Sequence, residues 1–174
     1  MRSLDAALGE LADARSASRT VTALHIASAT TLAASLSSSL ARWAKAHALG
    51  RTILVVDDDA AAGATLAHAL RHVAPVVLVG TVDAAAHAMA RDRPAVVVAD
   101  HHLDDPRGRT GASLLASAPR GPRAVLLSGI ADEHALAEAA RAVNATPVAR
   151  PVTLPQLDAL VDLVRGLFND ATGT

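Results

Sequence analysis

Five short aliphatic runs alternate with alanine-rich segments between residues 51 and 168, and this alternation constrains the fold more than any other feature of the sequence. The runs predict strands at 52–56, 76–79, 95–99, 124–127 and 147–149, and the intervening segments predict helices at 60–73, 82–92, 111–117, 132–143 and 153–168. Strands that alternate with helices form parallel sheets covered on both faces. The runs are continuously apolar, as strands buried on both faces require. We therefore expect an α/β fold with a five-stranded parallel sheet.

Acidic residues follow two of these runs directly. ILVV at 53–56 leads into Asp57 and Asp58, and AVVVA at 95–99 leads into Asp100. Ligands of parallel α/β sheets bind outside the carboxyl ends of the strands, so these carboxylates should share one crevice. Several negative charges in one small space require a cation. Mg²⁺ is the natural candidate, because it prefers oxygen ligands and binds through carboxylates together with phosphate oxygens.

Two further polar residues follow the fourth and fifth runs. Ser128 offers a hydroxyl group beside Gly129, and Arg150 offers a permanent positive charge before Pro151. Carboxylates, a metal ion, a hydroxyl and a cation together describe a site for a transferred phosphoryl group, with one aspartate as the nucleophile.

These landmarks occur in the order found in the receiver domains of two-component response regulators, which residues 51–168 resemble. ILVVDD at 53–58 is similar to the first strand and acidic pair of that family, and Asp100 matches the phospho-accepting aspartate. The Thr110-Gly111 pair is similar to receiver domains of hybrid kinases. The resemblance implies a flavodoxin-like, doubly wound sheet with strand order 2-1-3-4-5.

The resemblance also implies a function. A sensor histidine kinase or phosphotransfer protein would donate a phosphoryl group to Asp100, so the chain would be a phosphoryl acceptor and not a turnover enzyme. The expected Mg²⁺ ligands are Asp57, Asp58, Asp100 and the backbone carbonyl of His102. Ser128 and Arg150 would contact the phosphoryl group. Because no further domain follows residue 168, we expect output through protein contacts, either at the fourth and fifth β-α units or at the amino-terminal helices.

The sequence departs from the family pattern at three places around this site. Arg150 stands where the family has Lys, and a planar guanidinium need not contact an acyl phosphate as an ammonium does. Pro147 stands where an aromatic switch residue is usual, so an aromatic ring cannot relay phosphorylation there. The loop from Asp100 to Gly111 is unusually long, with Asp104 in place of the common Pro.

Alternative functions stay open at the level of sequence. Arg150 and Pro147 favour a pseudo-receiver, a scaffold that binds partners without being phosphorylated. Asp57 and Asp59 also have the Asp-x-Asp spacing of haloacid-dehalogenase-like phosphatases, although Asp59 is better explained as a first-turn acid of the next helix.

A second kind of metal site is conceivable in the loop after the third run. Two histidines and two acids could bind a transition metal there, although adjacent loop residues seldom point the same way. These residues are His101, His102, Asp104 and Asp105.

Residues 1–50 have no strand-like run and are expected to form a separate helical segment. Apolar residues at helical spacing predict one short and one long helix. The stripe residues are Leu4, Leu8, Leu11, Val21, Leu24, Leu32, Leu36, Leu40 and Trp43. A hairpin that pairs across a two-fold axis would bury both stripes, so we expect a homodimer. Packing on the chain's own domain is the alternative. His25 lacks the polar neighbours of a phosphohistidine and is expected to be a packed or surface residue.

Composition excludes several partners. The net charge of −1 favours neither nucleic acid nor an anionic membrane, and one Trp, one Phe and no Tyr leave no stacking platform for single-stranded nucleic acid.

The amino-terminal residues are acidic and do not have the pattern of a secretory signal peptide. The uncharged stretch at 20–41 is rich in Ser and Thr, which favours a partner-facing helix over a membrane span. With no cysteine present, a cytoplasmic location is expected. Residues 169–174 are expected to form a disordered tail.

Overall fold

The computed structural model describes residues 28–46, 51–118, 122–129 and 133–173. The chain divides into two compact units, residues 1–43 and residues 44–174. Its elements are, in order, α1 (28–46), β1 (Ile53–Val56), α2 (Ala60–Leu70), β2 (Val76–Val79), α3 (Val82–Asp92), β3 (Val96–Asp100), α4 (Gly111–Ala116), β4 (Arg123–Ser128), α5 (Glu133–Ala142), β5 (Ala145–Ala149) and α6 (Leu154–Thr172).

The five strands form one parallel sheet in the order β2-β1-β3-β4-β5, which confirms the predicted doubly wound fold. The order reverses between β1 and β3, where Ile53 pairs with Val96 and Val56 pairs with Ala99. The residues that follow β1 and β3 therefore lie side by side. This is the position at which α/β sheets of this kind bind their ligands.

Two apolar cores cover the two faces of the sheet. Alternate residues of β1 point to opposite faces, so Leu54 and Val56 pack with α3, α4 and α5, whereas Ile53 and Val55 pack with α2 and α6. All four are completely or almost completely buried. Burial on both faces explains why the strand runs are apolar at every position.

Side-chain caps begin four of the helices. Asp59 accepts from the backbone N–H groups of Ala61 and Ala62 at the start of α2, and Thr81 caps α3. Thr110 and Thr153 begin α4 and α6 with reciprocal capping boxes. These short polar residues satisfy N–H groups that have no partner within the helix, so each helix begins within about one residue of the predicted position.

The helix ends differ more from the predictions than the starts. Helix α2 ends at Leu70, three residues before the predicted end at 73. Helix α6 continues to Thr172, so residues 169–172 are helical and the predicted disordered tail is wrong for them. Gly173 ends α6 in the left-handed region at φ 68° and donates its N–H to the carbonyl of Asn169. A local glycine cap thus determines this end rather than the last apolar residue, Phe168.

Helix α1 carries the second half of the predicted apolar stripe. Leu32, Leu36, Leu40 and Trp43 are exposed by 65%, 64%, 66% and 47%. The first half of the predicted hairpin, and His25, lie outside the described residues. Among the described residues, no helix has the length and apolar character needed to cross a membrane.

Candidate functional site

Three carboxylates meet at the carboxyl edge of the sheet. Asp57 follows β1 and is 2% exposed, and Asp100 ends β3 and is 7% exposed, while Asp58 is exposed. Each offers one oxygen, and these oxygens lie within 4.8 Å of one another. An all-oxygen donor set of this size suits a hard cation such as Mg²⁺. The prediction that the acids after the first and third strands share one crevice is therefore confirmed.

Arg150 joins two of these acids. It follows β5, and its guanidinium donates from Nη1 to Asp57 Oδ2 at 2.9 Å and from Nη2 to Asp100 Oδ2 at 2.5 Å. Burial acts to lower the pKa of Arg150, but the neighbouring charges and hydrogen bonds of Asp100 and Asp57 outweigh it and raise the pKa. The arginine is thus held as a permanent cation between the two buried carboxylates.

The environment of Asp57 disfavours its charged form. Burial raises the pKa of Asp57 above its ordinary value, against the opposing effects of Arg150 and of the Asp59 N–H, which donates to Oδ1 at 3.1 Å. Helix α2 approaches this residue closely because position 63 is glycine. A Cβ atom there would lie 3.2 Å from the Asp57 Cβ and 2.9 Å from Leu78 Cδ1.

Asp100 is held from the side of the following loop and helix. The N–H of His102 lies 3.4 Å from Asp100 Oδ1. The N–H of Gly111 donates to the carbonyl of His101 at 3.1 Å, and a Cβ on Gly111 would lie only 2.1 Å from the Asp100 carbonyl oxygen. Only glycine permits α4 to begin this close to the end of β3.

Ser128 lies at the end of β4, beside β3, and is 4% exposed. Its carbonyl accepts from the N–H of Arg150 at 2.8 Å, which ties the residue after β5 to the end of β4. The structure thus brings the backbones of Ser128 and Arg150 together at the same edge as the acids. The roles of the Ser128 hydroxyl and of the His102 carbonyl stay predictions.

A cluster of ion pairs organises the long loop after β3. Asp105 accepts from the N–H groups of Arg107 and Arg109 at 3.1 and 3.0 Å. It also accepts from Nε and Nη2 of Arg109 at 2.9 and 2.7 Å, and Arg109 Nη1 reaches Asp83 of α3 at 2.6 Å. The hydrogen bonds from Arg109 hold the pKa of Asp105 far below its ordinary value. We call Asp83, Asp105 and Arg109 the loop clamp.

The loop clamp argues against the alternative of a transition-metal site in this loop. Asp105 is engaged by Arg109, and the rings of His101 and His102 pack edge to face with centroids 4.7 Å apart. Within the described ranges, the only group of three or more side chains placed to hold a metal ion is Asp57, Asp58 and Asp100, so the structure does not support a transition-metal site in the loop. Asp59, the other candidate acid, is directed to the start of α2.

Sequence reasoning missed the loop clamp and the contact made by Gly111. The signals were weak: an Asp and an Arg four residues apart in a loop, and a glycine inside a Thr-Gly pair. Reasoning from the sequence also treated Arg150 as a phosphoryl contact only, and did not predict that its guanidinium bridges Asp57 and Asp100.

No family model matches the chain, and no curated protein matches it in sequence. Solved structures do. The receiver domain of the Francisella response regulator 1452 is 17% identical, with a TM-score of 0.60 over 68% of this chain and 97% of that one.

Two further receiver domains show the same similarity. A CheY-like receiver domain protein from Methanospirillum hungatei JF-1 is 19% identical, with a TM-score of 0.60 over 69% and 94% of the two chains. The BeF3-activated receiver domain of DrrB is 20% identical, with a TM-score of 0.57 over 68% and 97%. At these identities the similarity concerns the fold, and the predicted receiver-type fold is confirmed.

Proposed function

We propose that this chain is a receiver of a two-component phosphorelay that accepts a phosphoryl group on Asp100 from the phosphohistidine of a sensor histidine kinase or phosphotransfer protein. One observation carries the proposal: in a receiver-type fold, the carboxylate of Asp100 converges with those of Asp57 and Asp58 at the point where strand order reverses. A cytoplasmic location, predicted from the sequence, is part of this proposal.

The proposed reaction is a simple displacement. A carboxylate oxygen of Asp100 attacks the phosphorus of the donor's phosphohistidine, a P–O bond forms, and the P–N bond breaks. The electron pair of that bond stays on the imidazole nitrogen, which then takes up a proton. The product is an acyl phosphate on Asp100, formed once per protein molecule, so the chain acts as an acceptor and not as a turnover enzyme.

Residues around Asp100 have complementary roles in this proposal. Asp57, Asp58, Asp100 and the backbone carbonyl of His102 would hold Mg²⁺, which supplies charge neutralisation for the phosphoryl oxygens when bound. The hydroxyl of Ser128 would donate to a phosphoryl oxygen, and Arg150 would offer it a charged donor. The new charge on Asp100 would be sensed at these two residues and shift the adjoining surface between two states.

Two alternatives make different use of the same site. The pairing of Arg150 with both buried acids favours a pseudo-receiver, because the guanidinium already offsets part of their charge. A haloacid-dehalogenase-like phosphatase would need Asp59 as its second acid, and Asp59 caps α2 instead. The accepting receiver accounts for Asp100, whereas the phosphatase does not.

Intact-mass analysis after incubation with acetyl phosphate and Mg²⁺ tests the proposal. We expect the wild type to gain one phosphoryl group that alkali removes. Asp100→Asn should gain none, and Asp162→Asn, which changes an exposed acid of α6, should behave as the wild type. A folded wild type that gains no adduct would favour the pseudo-receiver, and the same adduct on Asp100→Asn would exclude Asp100 as the acceptor. Release of phosphate from a small phosphoester in many turnovers would favour the phosphatase.

We further propose that residues 1–50 form a homodimer through their helices. Leu32, Leu36, Leu40 and Trp43 lie on one face of α1 at spacings of four, four and three residues, and all are exposed. Four large apolar side chains on one helical face favour burial against another apolar surface. A second copy offers the same stripe, as two-fold pairing requires.

A further inference from the structure

Arg150 places its guanidinium between the two acids that the proposed metal site needs. Its Nη1 and Nη2 atoms each donate to a different carboxylate, Asp57 at 2.9 Å and Asp100 at 2.5 Å. The two accepting oxygens therefore face a planar, doubly donating group and not an open space. A lysine ammonium at this position would be a compact point charge without this fork.

We infer that Arg150 is the internal cation of this site, and that its guanidinium must release carboxylates before a divalent cation can bind there. The inference rests on the proposed function for the choice of cation and deepens it by naming the residue that sets the metal affinity. The reason is the forked hydrogen bonding: carboxylate oxygens that accept from the guanidinium are not open to a metal ion, and each hydrogen bond to a charged group resists removal.

The structure also provides a place into which the released side chain can move. Arg150 lines a cavity of about 330 Å³ between α2 and the start of α6, together with Thr65, Leu66, Pro151 and Leu157. Where it pairs with the carboxylates, the Arg150 side chain is 21% exposed. The side chain therefore lies between the buried carboxylates and a cavity that it already lines.

Arg150→Lys tests the inference because it keeps the charge and removes the fork. Binding of Mn²⁺, measured from the electron paramagnetic resonance signal of the free ion with no phosphoryl donor present, should be about tenfold tighter in Arg150→Lys than in the wild type, since one charge-assisted hydrogen bond is lost. Arg165→Lys is the matched control, because Arg165 pairs with Asp162 on the exposed face of α6. Its Mn²⁺ affinity should equal that of the wild type.

A second measurement follows Arg150 directly in the wild type. In nitrogen-15 spectra of the arginine side chains, the Arg150 guanidinium should show restricted rotation without metal and lose this restriction when Mg²⁺ is added. Equal Mn²⁺ affinity of wild type and Arg150→Lys, including no binding by either, would overturn the inference. An unchanged Arg150 guanidinium signal at Mg²⁺ concentrations that shift the Asp57 amide would overturn it as well.

The experiments distinguish failure of the phosphoryl-acceptor proposal from failure of the inference about Arg150. Equal Mn²⁺ affinities would remove the role of Arg150 while an adduct on Asp100 would still support phosphoryl acceptance. A missing adduct with tighter Mn²⁺ binding in Arg150→Lys would remove phosphoryl acceptance and leave the internal cation in place.

Discussion

The backbone N–H of Asp104 donates to the carboxylate of Asp58 at 3.1 Å, although the two residues are 46 positions apart in the chain. This hydrogen bond joins the long loop after β3 to the acidic pair after β1. The loop clamp holds the loop in this position from its other side, through Asp105 and Arg109. The long loop, which departs from the family pattern, is thus tied to the acidic site by this hydrogen bond.

We expect Asp105→Asn to loosen this loop. An amide cannot accept the charge-assisted hydrogen bonds that Arg109 makes to both Asp105 oxygens, so backbone amides 104–109 should exchange hydrogen faster while those of β1 and β3 do not change. Hydrogen exchange measured by mass spectrometry would show this. Asp158→Asn, at an exposed position of α6, should leave exchange in the loop unchanged. Unaltered protection of the loop in Asp105→Asn would contradict a role for the clamp.

The loop clamp should also contribute stability in a pH-dependent way. The pKa of Asp105 is lowered in the folded chain by Arg109, from an ordinary value of 3.8. The folded state therefore favours the charged carboxylate, so the stabilisation is present above pH 3.8 and is lost as pH falls through the lower, folded pKa. The Tm difference between wild type and Asp105→Asn should be constant near neutral pH and shrink in stronger acid. Thermal melts at a series of pH values would check this, and a difference that grows in acid would contradict it.

Gly111→Ala should destabilise the fold by about 1–3 kcal/mol, because a Cβ would overlap the carbonyl oxygen of Asp100 and force β3 and α4 apart. Gly166→Ala is the matched control: Gly166 is an exposed position of α6, where a Cβ would meet nothing within 4 Å beyond its own stretch of helix, and the variant should gain roughly 0.5–1 kcal/mol in helix propensity. Urea unfolding of both variants measures the two effects. Equal stability of Gly111→Ala and wild type would show that the close contact is not needed.

Asp57→Asn should raise the Tm of the metal-free protein by a few degrees. Burial raises the pKa of Asp57, so the ionised carboxylate destabilises the folded state near neutral pH, and the neutral amide removes this cost. Mg²⁺ should then stabilise the wild type by selective binding to the folded state and should not stabilise the variant. Thermal melts with EDTA and with Mg²⁺ would measure both effects. A lower Tm for Asp57→Asn in EDTA would mean that its pairing with Arg150 outweighs the cost of burial.

Leu36→Glu should convert the proposed dimer to a monomer, because it places a charge in the centre of the apolar stripe of α1. Ser38→Glu lies about a third of a turn or more away from the stripe residues and should leave the dimer intact. Light scattering coupled to size-exclusion chromatography gives the mass of each variant, of the wild type, and of residues 51–174, which should be monomeric. A monomeric wild type would contradict the dimer.

Periodicity and strand-end positions predicted most of the fold because they are local properties. The runs that became β1 and β3 are apolar at every position, and both-face burial requires that. Asp57, Asp58 and Asp100 could be assigned to one site because strand ends of a parallel sheet meet at one edge. The predicted end of α6 at residue 168 was wrong, because a glycine cap at 173, and not the last apolar residue, terminates the helix.

Strand periodicity and strand-end acids thus predicted a five-stranded parallel sheet and the meeting of three acids at its carboxyl edge, and the resemblance to receiver domains implied the strand order. Which positive charge lies beside those acids was decided by the tertiary structure. Arg150 contacts Asp57 and Asp100 across 93 and 50 residues of chain, and such pairings depend on how far a side chain reaches after the sheet has formed. The same holds for Gly111, whose contact with Asp100 exists only because α4 begins against the end of β3. Strand periodicity does not encode these distances, since it specifies which face a residue occupies and not which atom it meets.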